Sequence, residues 1–116
     1  MEIQKVGESI KFKWKDITFH IRPKALAGDK HELVTLGELN DKGRSVIPQN
    51  RLYRKVIERF VTSWEGVTED GKAVPFSMEN LERLPVNREE DVFLVLGGHI
   101  MTVCFPKDDE SKKKGS

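Results

Sequence analysis

A chain of 116 residues has room for one modest hydrophobic core and not for two. Charged residues make up 34%, high for a globular protein, but 37% hydrophobic residues keep it out of the disordered class, so one folded domain is expected over residues 1–105. Twenty Lys and Arg against 19 Asp and Glu leave a net charge of +1, which excludes a global field for nucleic acid or an anionic membrane surface and leaves only local patches.

After a polar opening with no apolar signal-peptide core, Ile10 to Trp14 and Ile17 to Ile21 alternate apolar with polar. The Lys15-Asp16 step between them suits a tight hairpin whose apolar face must dock on something, and Arg22-Pro23 stops the second strand. Gly28 and Asp29 precede Leu33, Leu36 and Leu39 at roughly helical spacing, with Asp29 as the expected cap and Glu32 as its capping-box partner. Asn40 to Ser45 reads as a loop.

The clearest helix is expected from Pro48 to about Ser63. Leu52, Tyr53, Val56, Ile57, Phe60, Val61 and Trp64 lie on one stripe, and Arg51, Arg54, Lys55, Glu58 and Arg59 on the other. Gly66 is placed to end it. Thr68 to Gly71 is a turn, and Ser77 caps a short helix that Phe76 and Leu81 staple and Pro85 ends. Asn87 to Glu90 repeats a capping pattern and predicts a helix from Arg88. The following VFLVLGGHIMTVCF is read as helix against a hairpin alternative, its two glycines serving a close backbone approach or a turn. Residues 106–116 are charged and predicted disordered. Together these elements predict an α+β fold, an N-terminal β-hairpin packed on a small bundle of three to four helices.

Candidate chemistry is thin. His20, His31 and His99 are scattered without ligand spacing, and Cys104 sits among apolar residues, where an inert thiol is expected. A lone cysteine forms no internal disulfide and points to a reducing compartment. Asp108, Asp109 and Glu110 lie in the charged tail and read as solvation. No phosphate loop is present, and the apolar run from Val92 to Phe105 is shorter than the ~20 residues a membrane span needs. No catalytic group, metal or cofactor is therefore expected. The one patch that could contact phosphate is the basic face Arg51, Arg54, Lys55 and Arg59, read first as a solvated helix face.

The stretch Ser63 to Leu81 carries a further signal. W-E-G-V, then E-D-G-K, then V-P-F-S-x-E-N-L resembles a pattern common in small proteins of the tail-assembly region of long-tailed bacteriophages and prophages. The front, with Arg22-Pro23, Asp29, Glu32 and Leu33, resembles the opening of tail assembly chaperones, so that the likeness runs from Ile10 to Leu84. Within it Trp64, Gly66, Phe76, Ser77 and Leu81 read as structural anchors. The apolar run after Val92 departs from the Ala- and Glu-rich closing helix of such proteins. The resemblance implies a helper protein of the host bacterial cytoplasm that binds the tape measure protein, shields its apolar helices and yields to tail tube subunits, with self-association open. A structural tail or head-tail connector protein and a small DNA-binding regulator are the alternatives.

Overall fold

Alternation decides the first unit. In the computed structural model, which describes residues 7–105, strands β1 (Ile10–Trp14) and β2 (Ile17–Ile21) pair antiparallel. Ile10 faces Ile21, Phe12 faces Phe19, and Trp14 faces Ile17. Lys15 makes the turn at φ 57°, a left-handed conformation whose twist suits a two-residue hairpin. Phe19 and Ile21 are fully buried, while Lys11 and Lys13 point to solvent.

Helix α1 (Ala27–Val34) starts two residues before Asp29, which corrects the expected cap. Asp29 stands at the third helical position, and its carboxylate reaches back to accept the Leu26 backbone N–H at 2.7 Å, the role expected of Glu32. The helix also stops short of Leu36 and Leu39. Strands β3 (Glu38–Leu39) and β4 (Ser45–Val46) form a small hairpin instead, closed by the Asn40 side chain, which accepts from the backbone N–H groups of Lys42 and Arg44.

The central helix α2 (Gln49–Phe60) follows Pro48, but it ends before the predicted Ser63. Val61–Glu65 is strand β5, paired antiparallel with β2, so the hairpin becomes a three-stranded sheet of order β1-β2-β5. Two causes favour the strand. Val61 and Thr62 are β-branched, and β2 offers a free edge with backbone groups to pair. Trp64 therefore projects from a strand and not from the extended helix face, and Gly66 follows a strand and not a helix. Strands β6 (Thr68–Glu69) and β7 (Lys72–Ala73) then form a second small hairpin, and α3 (Met78–Glu82) begins at Ser77.

The last helix, α4 (Val92–Val103), is capped by Asp91, whose side chain accepts the Phe93 N–H at 2.8 Å. It starts four residues after Arg88, because Asn87 spends its side chain on a bend at Glu89 and Glu90. The helical reading of this run holds, and α4 packs on α2. A Cβ at Gly97 would stand 2.5 Å from Cγ and 2.6 Å from Cβ of Tyr53, so this glycine sets how closely the two helices approach. The obstructing atoms are the root of the Tyr53 side chain, which has little room to swing aside. Gly97→Ala is expected to destabilise the protein by about 1–3 kcal/mol through overpacking, despite alanine's better helix propensity. Chemical denaturation checks this; an unchanged or raised stability contradicts it.

One core joins these layers. Phe19 and Ile21 of the sheet, Val56, Ile57 and Phe60 of α2, Leu81 of α3, and Leu96 and Ile100 of α4 are all buried within it. No helix among the described residues is long and apolar enough to cross a membrane. The expected charged tail 106–116, with Asp108, Asp109 and Glu110, lies outside the described residues.

Candidate functional site

The first block, around Arg22 and Asp29, folds into an ionic clamp. Arg22 leaves the end of β2 and meets the C-terminus of α2, where its backbone N–H bonds the Phe60 carbonyl at 2.9 Å and its Nε–H the Arg59 carbonyl at 3.2 Å. A cation there satisfies carbonyls that the helix leaves unpaired and complements its dipole. The same guanidinium bonds Asp29 Oδ1 at 2.6 Å, and Arg59 reaches that oxygen at 2.8 Å. Asp29 is 2% exposed. Burial alone would raise its pKa, but the Leu26 amide and the two guanidinium groups outweigh burial and hold it below the ordinary carboxylate range. The clamp thus joins the sheet, α1 and α2, and floors an open concavity of ≈ 560 Å³ flanked by Lys55 and Glu58.

The second block is a tryptophan clamp. Trp64 is 7% exposed and lies 6.0 Å from the Phe19 ring, while Phe76 meets it edge-on at 5.2 Å. Its Nε1–H bonds the Val74 carbonyl at 2.6 Å, which fastens the β6-β7 hairpin's exit to the sheet. Gly66, at φ +99°, passes so close to the β1-β2 turn that a Cβ would stand 2.2 Å from the Asp16 carbonyl oxygen. Ser77 accepts the Asn80 N–H at 3.0 Å and starts α3, which delivers Leu81 into the core at 1% exposure. Phe76 is only half-buried, so it seals this cluster from outside.

The basic face is neutralised residue by residue. Arg51 pairs with Glu38, Arg54 with Glu82, Lys55 with Glu58, and Arg59 with Asp29. Arg54 also lies over the Phe93 ring, 5.2 Å from its centre. A phosphate backbone approaching this face would compete with a carboxylate at each contact.

The remaining reactive groups are scattered. His99 stacks on Phe12 with ring centres 4.1 Å apart, and burial lowers its pKa, favouring the neutral ring. His20 meets Glu65 at 2.5 Å on the outer face of the sheet. Cys104 is 3% exposed, its thiol donates to the Arg22 carbonyl, and burial pushes its pKa up. Cysteine and histidine are thus held by different partners. Among the described residues, no three His, Cys, Asp or Glu side chains are grouped to hold a metal ion.

Sequence reasoning overlooked the hub. The sequence pattern marks Arg22 as a strand end before Pro23 and as part of the resemblance, not as the partner of Asp29. Its signal was a cation at the end of a buried strand, seven residues before an acid, with a helix C-terminus to be neutralised. No family model matches the chain, and comparison with curated proteins and with solved structures finds no match either.

Proposed function

We propose that this chain is a tail assembly chaperone of a long-tailed bacteriophage or prophage, which binds the apolar helices of the tape measure protein until tail tube subunits replace it. The observation that carries the reading is the coincidence of motif and structure. The residues on which the resemblance rests, Arg22 with Asp29 and Trp64 with Gly66, Phe76, Ser77 and Leu81, form two contiguous clamps that fix the sheet to the helices. A pattern spent on architecture suits a protein that acts by presenting a surface. The neutralised basic face speaks against the nucleic-acid alternative.

Co-expression tests it. A tape measure protein of the same phage or prophage is expected to stay soluble with this chain and to aggregate without it, and the double charge reversal Arg51→Glu and Arg54→Glu is expected to leave that effect intact. No association and no gain in solubility would reject the proposal. Recovery of the chain as a stoichiometric component of finished particles would assign it to the virion instead.

A further inference from the structure

The concavity floored by the ionic clamp is lined by three cations, Arg22, Lys55 and Arg59, against two acids, Asp29 and Glu58, so one positive charge is left over. These groups are unequally committed. Arg22 donates from all its guanidinium nitrogens, to the carbonyls of Arg59 and Lys24 and to Asp29, and both Asp29 oxygens are taken. Arg59 is bound only through its Nε, which leaves its terminal nitrogens without an acceptor among the described residues. One of them lies beside Gly28, 3.8 Å from where a Cβ would stand. The Gly28 N–H belongs to the first turn of α1, which lacks helical acceptors and favours an anion.

The chain leaves the described fold at this same place. Ala25 donates its N–H to the Cys104 carbonyl at 3.0 Å, the Cys104 thiol meets the Arg22 carbonyl at 3.1 Å, and Phe105 packs on Phe60 with 5.4 Å between ring centres. The Arg22 guanidinium covers that Phe60 ring at 4.3 Å. After Phe105 come Pro106 and Lys107, and then the acids Asp108, Asp109 and Glu110. Extended chain spans ~10 Å by the third residue and ~17 Å by the fifth, which brings all three acids within reach of the rim.

We infer that this acidic run docks in the concavity, a carboxylate set between the Arg59 fork and the Gly28 amide. Charge and order both favour it: the acids come first after Phe105 and meet the surplus cation, while Lys112, Lys113 and Lys114 follow only beyond Ser111. The short tether adds to this, because it holds the run at a high effective concentration beside its site. Docked, the run keeps outside anions from the concavity. This inference stands apart from the tape measure reading.

Nuclear magnetic resonance of the isotope-enriched full chain, carrying a nitroxide spin label at Ser111→Cys, tests it, since the native Cys104 is buried from the reagent. The label is expected to broaden the amides of Gly28 and Arg59 and to spare those of Lys11 and Lys13, exposed on the outer face of the sheet. The neutral variant Asp108→Asn, Asp109→Asn, Glu110→Gln is expected to lose most of that broadening, and its substitutions lie outside the core, so the fold is retained. In the neutral variant without the label, inorganic phosphate is expected to shift the Gly28 amide at a lower concentration than in the natural chain. Sharp Gly28 and Arg59 amides overturn the inference, as does broadening that the neutral variant keeps or that spreads equally to Lys11 and Lys13. Equal broadening of an enriched, label-free chain by labelled chains overturns it too, because the run then lies on a second copy. Phosphate acting at the same concentration on both chains likewise overturns it.

Discussion

Trp64→Ala is expected to lower the unfolding free energy by about 3–5 kcal/mol, the range for truncating a buried large aromatic in a core that only partly relaxes. Three losses add up at one place. The indole fills the space between Phe19 and Phe76, its N–H holds the Val74 carbonyl, and its strand forms one edge of the sheet. Alanine leaves a cavity under β5 and frees the β6-β7 hairpin. The exposed neighbour Ser63→Ala is expected to stay within about 0.5 kcal/mol, as ordinary surface changes do, and the half-buried Phe76→Ala to fall between the two. Urea unfolding of the three variants checks the order. A Trp64→Ala loss as small as that of Ser63→Ala would remove the tryptophan clamp from the account.

The second large effect is expected at Asp29. Replacing it with alanine leaves the Arg22 and Arg59 guanidinium groups facing each other without their shared carboxylate and takes the acceptor from the Leu26 amide. Breaking a buried pair from one side costs about 3–5 kcal/mol when the partner stays dry. Side-chain exposures of 18% for Arg22 and 34% for Arg59 allow some hydration, so about 3 kcal/mol is expected here. The ordinary exposed pair of Arg51 with Glu38 should contribute less than about 1 kcal/mol by comparison. The pH dependence follows in sign. Because the folded Asp29 has a pKa below that of the unfolded chain, its contribution is complete above the ordinary carboxylate value near ~4 and is lost as pH falls from there through the lowered folded value. Asp29→Asn should flatten that part of the stability curve, and an acid profile identical in the variant would contradict the clamp.

Much of the fold was legible wherever local pattern and tertiary packing agree. The β1-β2 hairpin, its register and its turn followed from strict alternation around Lys15-Asp16, and the capping of α3 by Ser77 from a side-chain hydrogen bond three residues long. The errors fall where a long-range partner overrode the local period. Val61 and Trp64 continue the helical stripe of α2, yet the open edge of β2 offered four residues of backbone pairing and drew them into a strand. Leu36 and Leu39 keep helical spacing, yet the chain turns before them to make the β3-β4 hairpin, leaving Leu39 75% exposed. At Asp29 the residue was chosen correctly and its role was not, because the two arginines that bury it lie seven residues before it and thirty after it. Charge pairing across the basic face was equally invisible: Glu38 and Glu82 reach Arg51 and Arg54 from other elements.

The proposed function rests on this chain binding apolar protein surface, and titration calorimetry of the purified chain against a soluble helical segment of a phage tape measure protein tests that most directly. A saturable complex is expected whose binding enthalpy becomes more negative with rising temperature, the heat-capacity sign of apolar burial, with an affinity that salt and the Arg51→Glu, Arg54→Glu variant leave nearly unchanged. No complex, or binding that weakens steeply with salt, would contradict it.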